Sequence, residues 1–140
     1  MKPVVIDASA AAPWLIPDER TAVAAQLYTD VMASPGLFRS PALWLWETSN
    51  ILLMALRRGR VDAHGLQAGM ALLADCPIEI DAPPDAHRRS QTMRLCEAHG
   101  LSYSDASYLE LALRLNSQLA SADRQLVNAA KACGIPCLEL

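Results

Sequence analysis

Residues 4–9 read VVIDAS: three β-branched apolar residues, an aspartate and two small residues. The apolar run predicts a short strand buried on both faces, which is typical of a central strand in a parallel sheet. Asp7 then follows the carboxyl end of that strand. In open α/β sheets, ligands bind at the carboxyl ends of the strands, beside the point where the strand order reverses. A functional site at this position therefore requires other acidic side chains that converge on Asp7.

Length and composition describe one domain. The chain has 140 residues, of which 52% are hydrophobic and 19% charged, and its net charge is -3. This length suits a single domain over residues 1–140. The surplus of Ala and Leu is typical of helices packed on a sheet, with apolar surface left over for a partner. The charge excludes a broad basic surface for nucleic acid but leaves room for a local one.

The chain carries no sign of a membrane or secretory protein. No apolar run approaches the roughly 20 residues that cross a bilayer, and Met1-Lys2-Pro3 leads directly into the first strand, so we predict a cytoplasmic protein. The cysteines form no CxxC pair, and we interpret them as reduced core residues: Cys76, Cys96, Cys133 and Cys137. The alternative is a zinc site, whose ligands would be Cys133, Cys137 and one of His64, His87 or His99, although this spacing matches no zinc pattern.

Strands alternate with helices along the sequence. We predict strands at residues 4–6, 37–40, 77–80, 119–121 and 135–140. We predict helices at residues 18–32, 42–58, 62–75, 85–100, 105–115 and 124–132, after a short apolar segment, WLIP, that Pro13 and Pro17 bracket. Ser104 is the expected N-cap of the helix at 105–115. This order predicts an α/β fold in which helices cover both faces of a parallel sheet, with a helical hairpin inserted at 42–75.

Two acids follow strands at equivalent positions, Asp7 after the first and Asp123 after LAS at 119–121. If these strands are neighbours, the two carboxylates face the same crevice. Like charges that lie so close repel each other unless a cation neutralises them. Asp123 also has a purely structural explanation, as the N-cap of the helix behind it.

Two further acids lie on predicted helices. Asp105 falls in the first turn of its helix, where the helix dipole favours a carboxylate, and follows a loop of small and polar residues. Glu47 lies one turn after Leu43 and one turn before Ile51, on an apolar stripe. Since an unpaired buried carboxylate costs several kcal/mol, we expect Glu47 either to border a cleft or to hold a charged group, with Asn50 one turn later to position it. Together the four acids predict a site for Mg²⁺ or Mn²⁺.

Each acid lies in a distinctive segment: VVIDASA (4–10), PALWLWETSN (41–50), GLSYSDASYLELA (100–112) and LASADRQL (119–126). These segments resemble the four motifs of PIN-domain ribonucleases, and in particular those of VapC-type toxins from bacterial toxin-antitoxin pairs. The resemblance implies a three-layer α/β/α PIN-like fold with a central parallel sheet of four to five strands. It also implies an Mg²⁺- or Mn²⁺-dependent endoribonuclease that a cognate VapB-like antitoxin inhibits and that forms a homodimer.

The resemblance also assigns roles. Asp7, Glu47, Asp105 and Asp123 would form the catalytic quartet, with Ser9, Ser121 and Asn50 in support. For the metal we expect Asp7 and Asp105 as direct ligands, Asp123 as a ligand through water or at a second site, and Glu47 as the group that orients the nucleophile. The apolar residues of 14–16 and 44–56 are the expected surface for protein partners.

RNA that approaches an acidic crevice requires cations nearby. The candidates are Arg57, Arg58 and Arg60 at the end of the helix at 42–58, followed by Arg88, Arg89 and Arg94. Arg57 and Arg58 have an equally good explanation as solvated charges that complement the helix C-terminus. The tryptophans offer surfaces for base stacking, but tryptophans in apolar runs are more often core or interface residues, and we favour the interface.

Other protein classes place acids at strand ends. A haloacid-dehalogenase-type phosphatase needs a second Asp two residues after the first, where this chain has Ser9. A response-regulator receiver needs a Lys at a later strand end, and the two lysines here, Lys2 and Lys131, do not follow strands. The remaining alternative is a catalytically inert PIN-like module that acts only by binding a protein partner.

Overall fold

The computed structural model describes residues 2–140 and contains a parallel sheet of five strands: β1 (Val4–Ile6), β2 (Phe38–Ser40), β3 (Glu79–Ile80), β4 (Gln118–Ser121) and β5 (Cys137–Glu139). The strand order is β3-β2-β1-β4-β5, so β1 is the central strand, as predicted. Its register pairs Ile6 with Ala120 of β4. The residues that follow these two strands therefore meet at one edge of the sheet, where the strand order reverses.

Helices flank this sheet, and the predicted three-layer α/β/α architecture is confirmed. The helices are α1 (Ala8–Leu15), α2 (Ala22–Ala33), α3 (Leu43–Arg57), α4 (Ala63–Asp75), α5 (Ala86–His99), α6 (Tyr103–Leu115) and α7 (Arg124–Ala132), with a short 3-10 helix at Pro17–Glu19. The predicted helical hairpin is α3 and α4, which share a small core around Leu52 and Val61. Across residues 2–140, no helix has the length and apolar character that a membrane span requires.

Helix α1 is the main difference from the prediction. Pro13 and Pro17 suggested an irregular segment, yet α1 begins directly after β1 and includes Pro13. Asp7 is its N-cap, with Oδ1 accepting a hydrogen bond from the Ala10 amide at 3.0 Å. Ala10 and Ala11 are fully buried, since only small side chains allow the helix to lie so close to its neighbours. This cap and burial offset the backbone hydrogen bond that Pro13 loses.

Two predicted helix starts are also wrong. Residues 18 and 19 belong to the 3-10 helix, and α2 begins later because Thr21 caps it by accepting a hydrogen bond from the Ala24 amide at 3.1 Å. Ser102, not Ser104, caps α6, with its Oγ accepting from the Asp105 amide at 3.2 Å. The sequence offers several serines before Asp105, and only the backbone conformation selects which of them is the cap.

The expected partner surface at residues 14–16 is wrong as well, because these three residues are buried. Trp14 Nε1 donates a hydrogen bond to the Ala24 carbonyl at 2.9 Å, and its ring meets Tyr28 edge to face at 5.4 Å. Trp14 therefore joins α1 to α2. The residues of the second expected surface, 44–56, differ in exposure. Trp44 is buried, while Leu45, Trp46 and Leu53 are exposed.

Candidate active site

Asp7 lies at the centre of the site and is only 3% exposed. Its carboxylate accepts hydrogen bonds from the Ser9 hydroxyl at 2.7 Å, the Ser121 hydroxyl at 2.6 Å and the Ala10 amide. Burial nevertheless raises the pKa of Asp7 to about 6, against the lowering effect of these donors. The carboxylate is thus firmly oriented, and it bears a charge that its surroundings do not neutralise.

Ser9 and Ser121 tie α1 to the turn that follows β4. The Ser9 oxygen also accepts a hydrogen bond from the Ala122 amide at 3.0 Å, and the Ser121 oxygen accepts one from the Asp123 amide at 2.9 Å. Each hydroxyl therefore donates a hydrogen bond to Asp7 and accepts one from a backbone amide of the turn that follows β4. This arrangement fixes the separation between Asp7 and Asp123 without any direct contact between their side chains.

Asp123 and Asp105 come from the N-terminal ends of two helices. Asp123 caps α7, as its structural explanation predicted, with Oδ1 accepting from the Leu126 amide at 3.1 Å. Asp105 is half-buried in the first turn of α6. Burial raises the pKa of Asp105, and the negative charges of Asp123 and Glu47 raise it further. These three acids therefore lie within electrostatic reach of one another.

Glu47 is half-buried on α3, and its partner is a residue that the sequence did not reveal. The Tyr108 hydroxyl donates a hydrogen bond to Glu47 Oε1 at 2.5 Å, across 61 positions of sequence. Burial, together with this carboxylate, raises the pKa of the Tyr108 phenol well above its usual range. A tyrosine one helical turn after Asp105 was the available signal, since a buried phenol requires a polar partner. Asn50, the expected partner, is exposed and does not donate to Glu47 among the described residues.

Pairwise charge interactions link the four carboxylates: after burial, the charge of Asp123 contributes to the raised pKa of Asp7, and the charges of Asp123 and Glu47 contribute to that of Asp105. Within residues 2–140, no Arg, Lys or His forms an ion pair with any of the four acids. Asp7 and Asp123 follow the ends of strands β1 and β4, whereas Glu47 and Asp105 lie on helices α3 and α6. The structure thus places Asp7, Glu47, Asp105 and Asp123 in a chain of pairwise charge interactions, and within residues 2–140 no cation pairs with them.

The donor chemistry of the crevice fits a hard divalent cation. It offers carboxylate and hydroxyl oxygens, which Mg²⁺ prefers, and Mg²⁺ needs only one or two carboxylates because it keeps several waters. Among the described residues, no three His, Cys, Asp or Glu side chains are grouped so that together they could hold a metal ion. The structure therefore allows at most two of the four carboxylates on one ion. It gives no support to the zinc alternative, for which the structure offers a single contact, Cys133 Sγ to His99 Nε2 at 3.3 Å.

The candidate RNA-binding arginines differ in their surroundings. Arg57 and Arg58 are exposed at the end of α3 and form no ion pair within residues 2–140. Arg60 binds Asp18 at 2.7 Å and Glu19 at 2.8 Å. Arg88 is committed to a network with Asp81 and Glu110, whereas two further candidates are exposed: Arg89 and Arg94.

A cavity of about 310 Å³ lies next to the crevice, between α3, α5 and α6. Its wall includes Trp46 and Ser104, the sequence neighbours of Glu47 and Asp105, and Trp46 is 70% exposed. At its other end the wall is formed by the ion network of Asp81, Arg88, Glu110 and Arg114. The acids are therefore bordered on this side by a largely apolar recess.

Several solved structures share the fold. PAE2754 from Pyrobaculum aerophilum superposes with a TM-score of 0.71 at 23% identity, covering 97% of this chain and 83% of that one. VapC20 from Mycobacterium tuberculosis, described as a sarcin-ricin loop cleaving toxin, gives 0.62 at 17% identity and covers 98% of both chains. FitAcB from Neisseria gonorrhoeae gives 0.66 at 13% identity, with 97% and 96% covered. At these identities the likeness concerns the fold alone.

Comparison of sequences gives the family. No curated protein matches the chain significantly. The sequence profile of the PIN domain, in contrast, matches residues 4–132, a range that contains all four acids and both serines of the crevice. Because this match spans nearly the whole sequence, the chain belongs to the PIN domain family.

Proposed function

We propose that this protein is an Mg²⁺- or Mn²⁺-dependent endoribonuclease that hydrolyses phosphodiester bonds of cellular RNA. PIN domains are generally nucleases. The observation that carries the proposal is the convergence of four carboxylates without a cationic partner in the described residues. Holding such a group together costs stability unless a divalent cation binds, so its presence supports a catalytic role over an inert binding module.

Each residue of the crevice has its own proposed role in hydrolysis. Asp7 and Asp105 are the proposed direct ligands, and Asp123 binds through water or completes a second site. A bound divalent cation would polarise the scissile phosphate and lower the pKa of a water molecule. Ser9 and Ser121 keep the Asp7 carboxylate in one orientation. Glu47 Oε1 is engaged by Tyr108, so Oε2 is the oxygen that orients the attacking water and accepts its proton.

Arginines beyond the crevice supply the attraction for RNA. Arg57 lies ten positions after Glu47 on α3, which corresponds to about 15 Å along the helix. Arg57 and Arg58 are exposed, and in the described chain no carboxylate pairs with them. Arg60 is also part of the proposal, because exposed ion pairs such as those with Asp18 and Glu19 are weak and exchange readily with a phosphate.

The proposed biological role is that of a VapC-like toxin held inactive by a cognate VapB-like antitoxin in the cytoplasm. One structural neighbour that shares the fold, VapC20, is described as a toxin, which supports this role. Leu45, Trp46 and Leu53 leave an apolar face on α3, which we assign to protein contacts, including those of a homodimer. A single PIN domain over residues 1–140 and the cytoplasmic location remain predictions.

The test is cleavage of a fluorescent single-stranded RNA by the purified protein. We expect cleavage with Mg²⁺ or Mn²⁺ and none with a chelator. Asp7→Asn should abolish cleavage, whereas Asp75→Asn, which changes an exposed acid at the end of α4, should leave it unchanged. Metal-independent cleavage, or normal cleavage by Asp7→Asn, would contradict the proposal, and binding of protein partners without any cleavage would favour the inert module.

A further inference from the structure

Tyr108 is nearly inaccessible to solvent, with 1% of its surface exposed, yet it carries a polar hydroxyl. It lies on α6, one turn after Asp105, and its ring belongs to the main core. The hydroxyl reaches across to α3 and donates to Glu47 Oε1 at 2.5 Å. A phenylalanine would fill the same volume, so the hydroxyl has a role apart from packing.

Without this contact, Glu47 has reason to leave the crevice. Its side chain has several rotatable bonds, and ordering them costs conformational entropy. The negative charge of Asp105 lies within electrostatic reach of Glu47 and repels it. No Arg or Lys within residues 2–140 pairs with Glu47 to hold it in place. The Tyr108 hydroxyl is the one hydrogen-bond donor that the described structure gives this carboxylate.

We infer that Tyr108 is a positioning residue, which fixes the Glu47 carboxylate in the crevice by engaging Oε1 and leaves Oε2 for the reaction. A hydrogen bond to a charged acceptor is stronger than one between neutral groups, so it suits this role. The phenol remains a donor at any working pH, because burial and the Glu47 carboxylate hold its pKa above its usual range. This inference rests on the proposed nuclease function, in which Glu47 orients the attacking water.

The experiment compares Tyr108→Phe with Tyr103→Phe in the full chain. Phenylalanine keeps the ring and removes the hydroxyl, and Tyr103 is a matched control because it is 39% exposed and also lies on α6. Cleavage of labelled RNA with Mn²⁺ should show a kcat lower by about 10- to 100-fold for Tyr108→Phe. KM should stay within about twofold, because the hydroxyl contacts no substrate. Tyr103→Phe should match the wild type.

A double-mutant cycle with Glu47→Gln separates positioning from packing. If Tyr108 acts through Glu47, adding Tyr108→Phe to Glu47→Gln should reduce kcat no further. Losses that multiply in the double mutant would overturn the inference, as would an unchanged kcat in Tyr108→Phe. Thermal unfolding of each variant verifies that it is folded.

Crystal structures provide a readout that is independent of activity. In the wild type, the Tyr108 hydroxyl should lie within hydrogen-bond distance of Glu47 Oε1, and in Tyr108→Phe the carboxylate should move or become disordered. An unmoved, ordered Glu47 in the variant, or a wild-type Glu47 out of reach of the hydroxyl, would overturn the inference. These structures decide it even if the wild type cleaves no RNA, a result that would count against the proposed function alone.

Discussion

At the residue scale, Asp7 is a carboxylate whose charge is destabilised by burial. It is buried by the sheet and by α1, it accepts hydrogen bonds from two serines and an amide, and its pKa is still raised to about 6. Three donors do not compensate for the water that the carboxylate loses on folding. An acid kept charged at such a position at neutral pH is typical of functional sites.

This raised pKa predicts a specific pH dependence of stability. The folded protein binds the Asp7 proton more tightly than the unfolded chain, whose pKa is near 3.8, so Asp7 favours folding increasingly as the pH falls from above 6 to below 4. The gain is about 3 kcal/mol in the free energy of unfolding. Urea unfolding without divalent ions should show that the stability of the wild type relative to Asp7→Asn rises by most of this amount between pH 8 and pH 4. Identical pH profiles for the two proteins would refute the assignment.

Ser121 is a second residue whose effect can be anticipated. It is fully buried, donates to Asp7 and accepts from the Asp123 amide. Ser121→Ala removes one of the three donors to Asp7 and leaves the Asp123 amide without its partner, so it should cost about 1–3 kcal/mol of stability together with most of the activity. Ser49→Ala, which removes an exposed hydroxyl bonded to the Leu45 carbonyl, is the control. Urea unfolding and RNA cleavage measure the two effects, and equal losses in the two variants would contradict this role.

The sequence predicted the acids better than their partners. Glu47 was identified because helical spacing places it on an apolar stripe, which is a local property. Its partner lies 61 residues away, and no local pattern joins α3 to α6, so Tyr108 was missed and Asn50 was chosen for its proximity in the helix. The roles of Ser9 and Ser121 were inferred only from the family resemblance.

At the scale of elements, helix ends with strong caps were predicted well. Helices α4 and α5 begin at the predicted positions, where Asp62 and Asp85 cap them, and Gly100 ends α5 in the left-handed conformation, with a φ of 64°. Helix α1 was missed because Pro13 within it and Pro17 after it suggest a break in the helix. Its stability comes from burial of alanines against the sheet and from the Asp7 cap, which are tertiary effects that local propensity does not include.

The hairpin of α3 and α4 depends on a close contact at Gly69. A Cβ atom added there would lie 2.5 Å from Leu52 Cδ2, and Leu52 is fully buried, so it has little room to move. Gly69→Ala should therefore destabilise the fold by about 1–3 kcal/mol, despite the better helix propensity of alanine. Urea unfolding should also show that the same substitution costs nothing further in a Leu52→Ala background. A stabilised Gly69→Ala protein would contradict this packing.

At the scale of the whole molecule, the sheet brings together side chains that are distant in sequence. The reversal of strand order at β1 places the ends of β1 and β4 side by side, and α3 and α6 add Glu47 and Asp105 to the same crevice. The architecture could be predicted because strand burial and alternation with helices are encoded locally. The apolar faces were harder to predict, since α1 and α3 both carry Trp and Leu residues but only α3 leaves part of them exposed.

The charged residues of the molecule form two groups, those with an ion-pair partner and those without one. Arg88 and Arg114 are neutralised by Asp81 and Glu110, and Arg60 by two acids of the 3-10 helix. The four acids of the crevice have no such partners in the described chain. The proposed function therefore requires a divalent cation that binds beside these four acids and at no other position of the protein.

The most direct measurement is anomalous diffraction from crystals of the protein equilibrated with Mn²⁺. We expect an anomalous peak within bonding distance of carboxylate oxygens of Asp7 and Asp105, and no peak there in Asp7→Asn crystals. Crystals saturated with Mn²⁺ that show no peak in this crevice, or a peak only at another position such as Cys133 and His99, would contradict it.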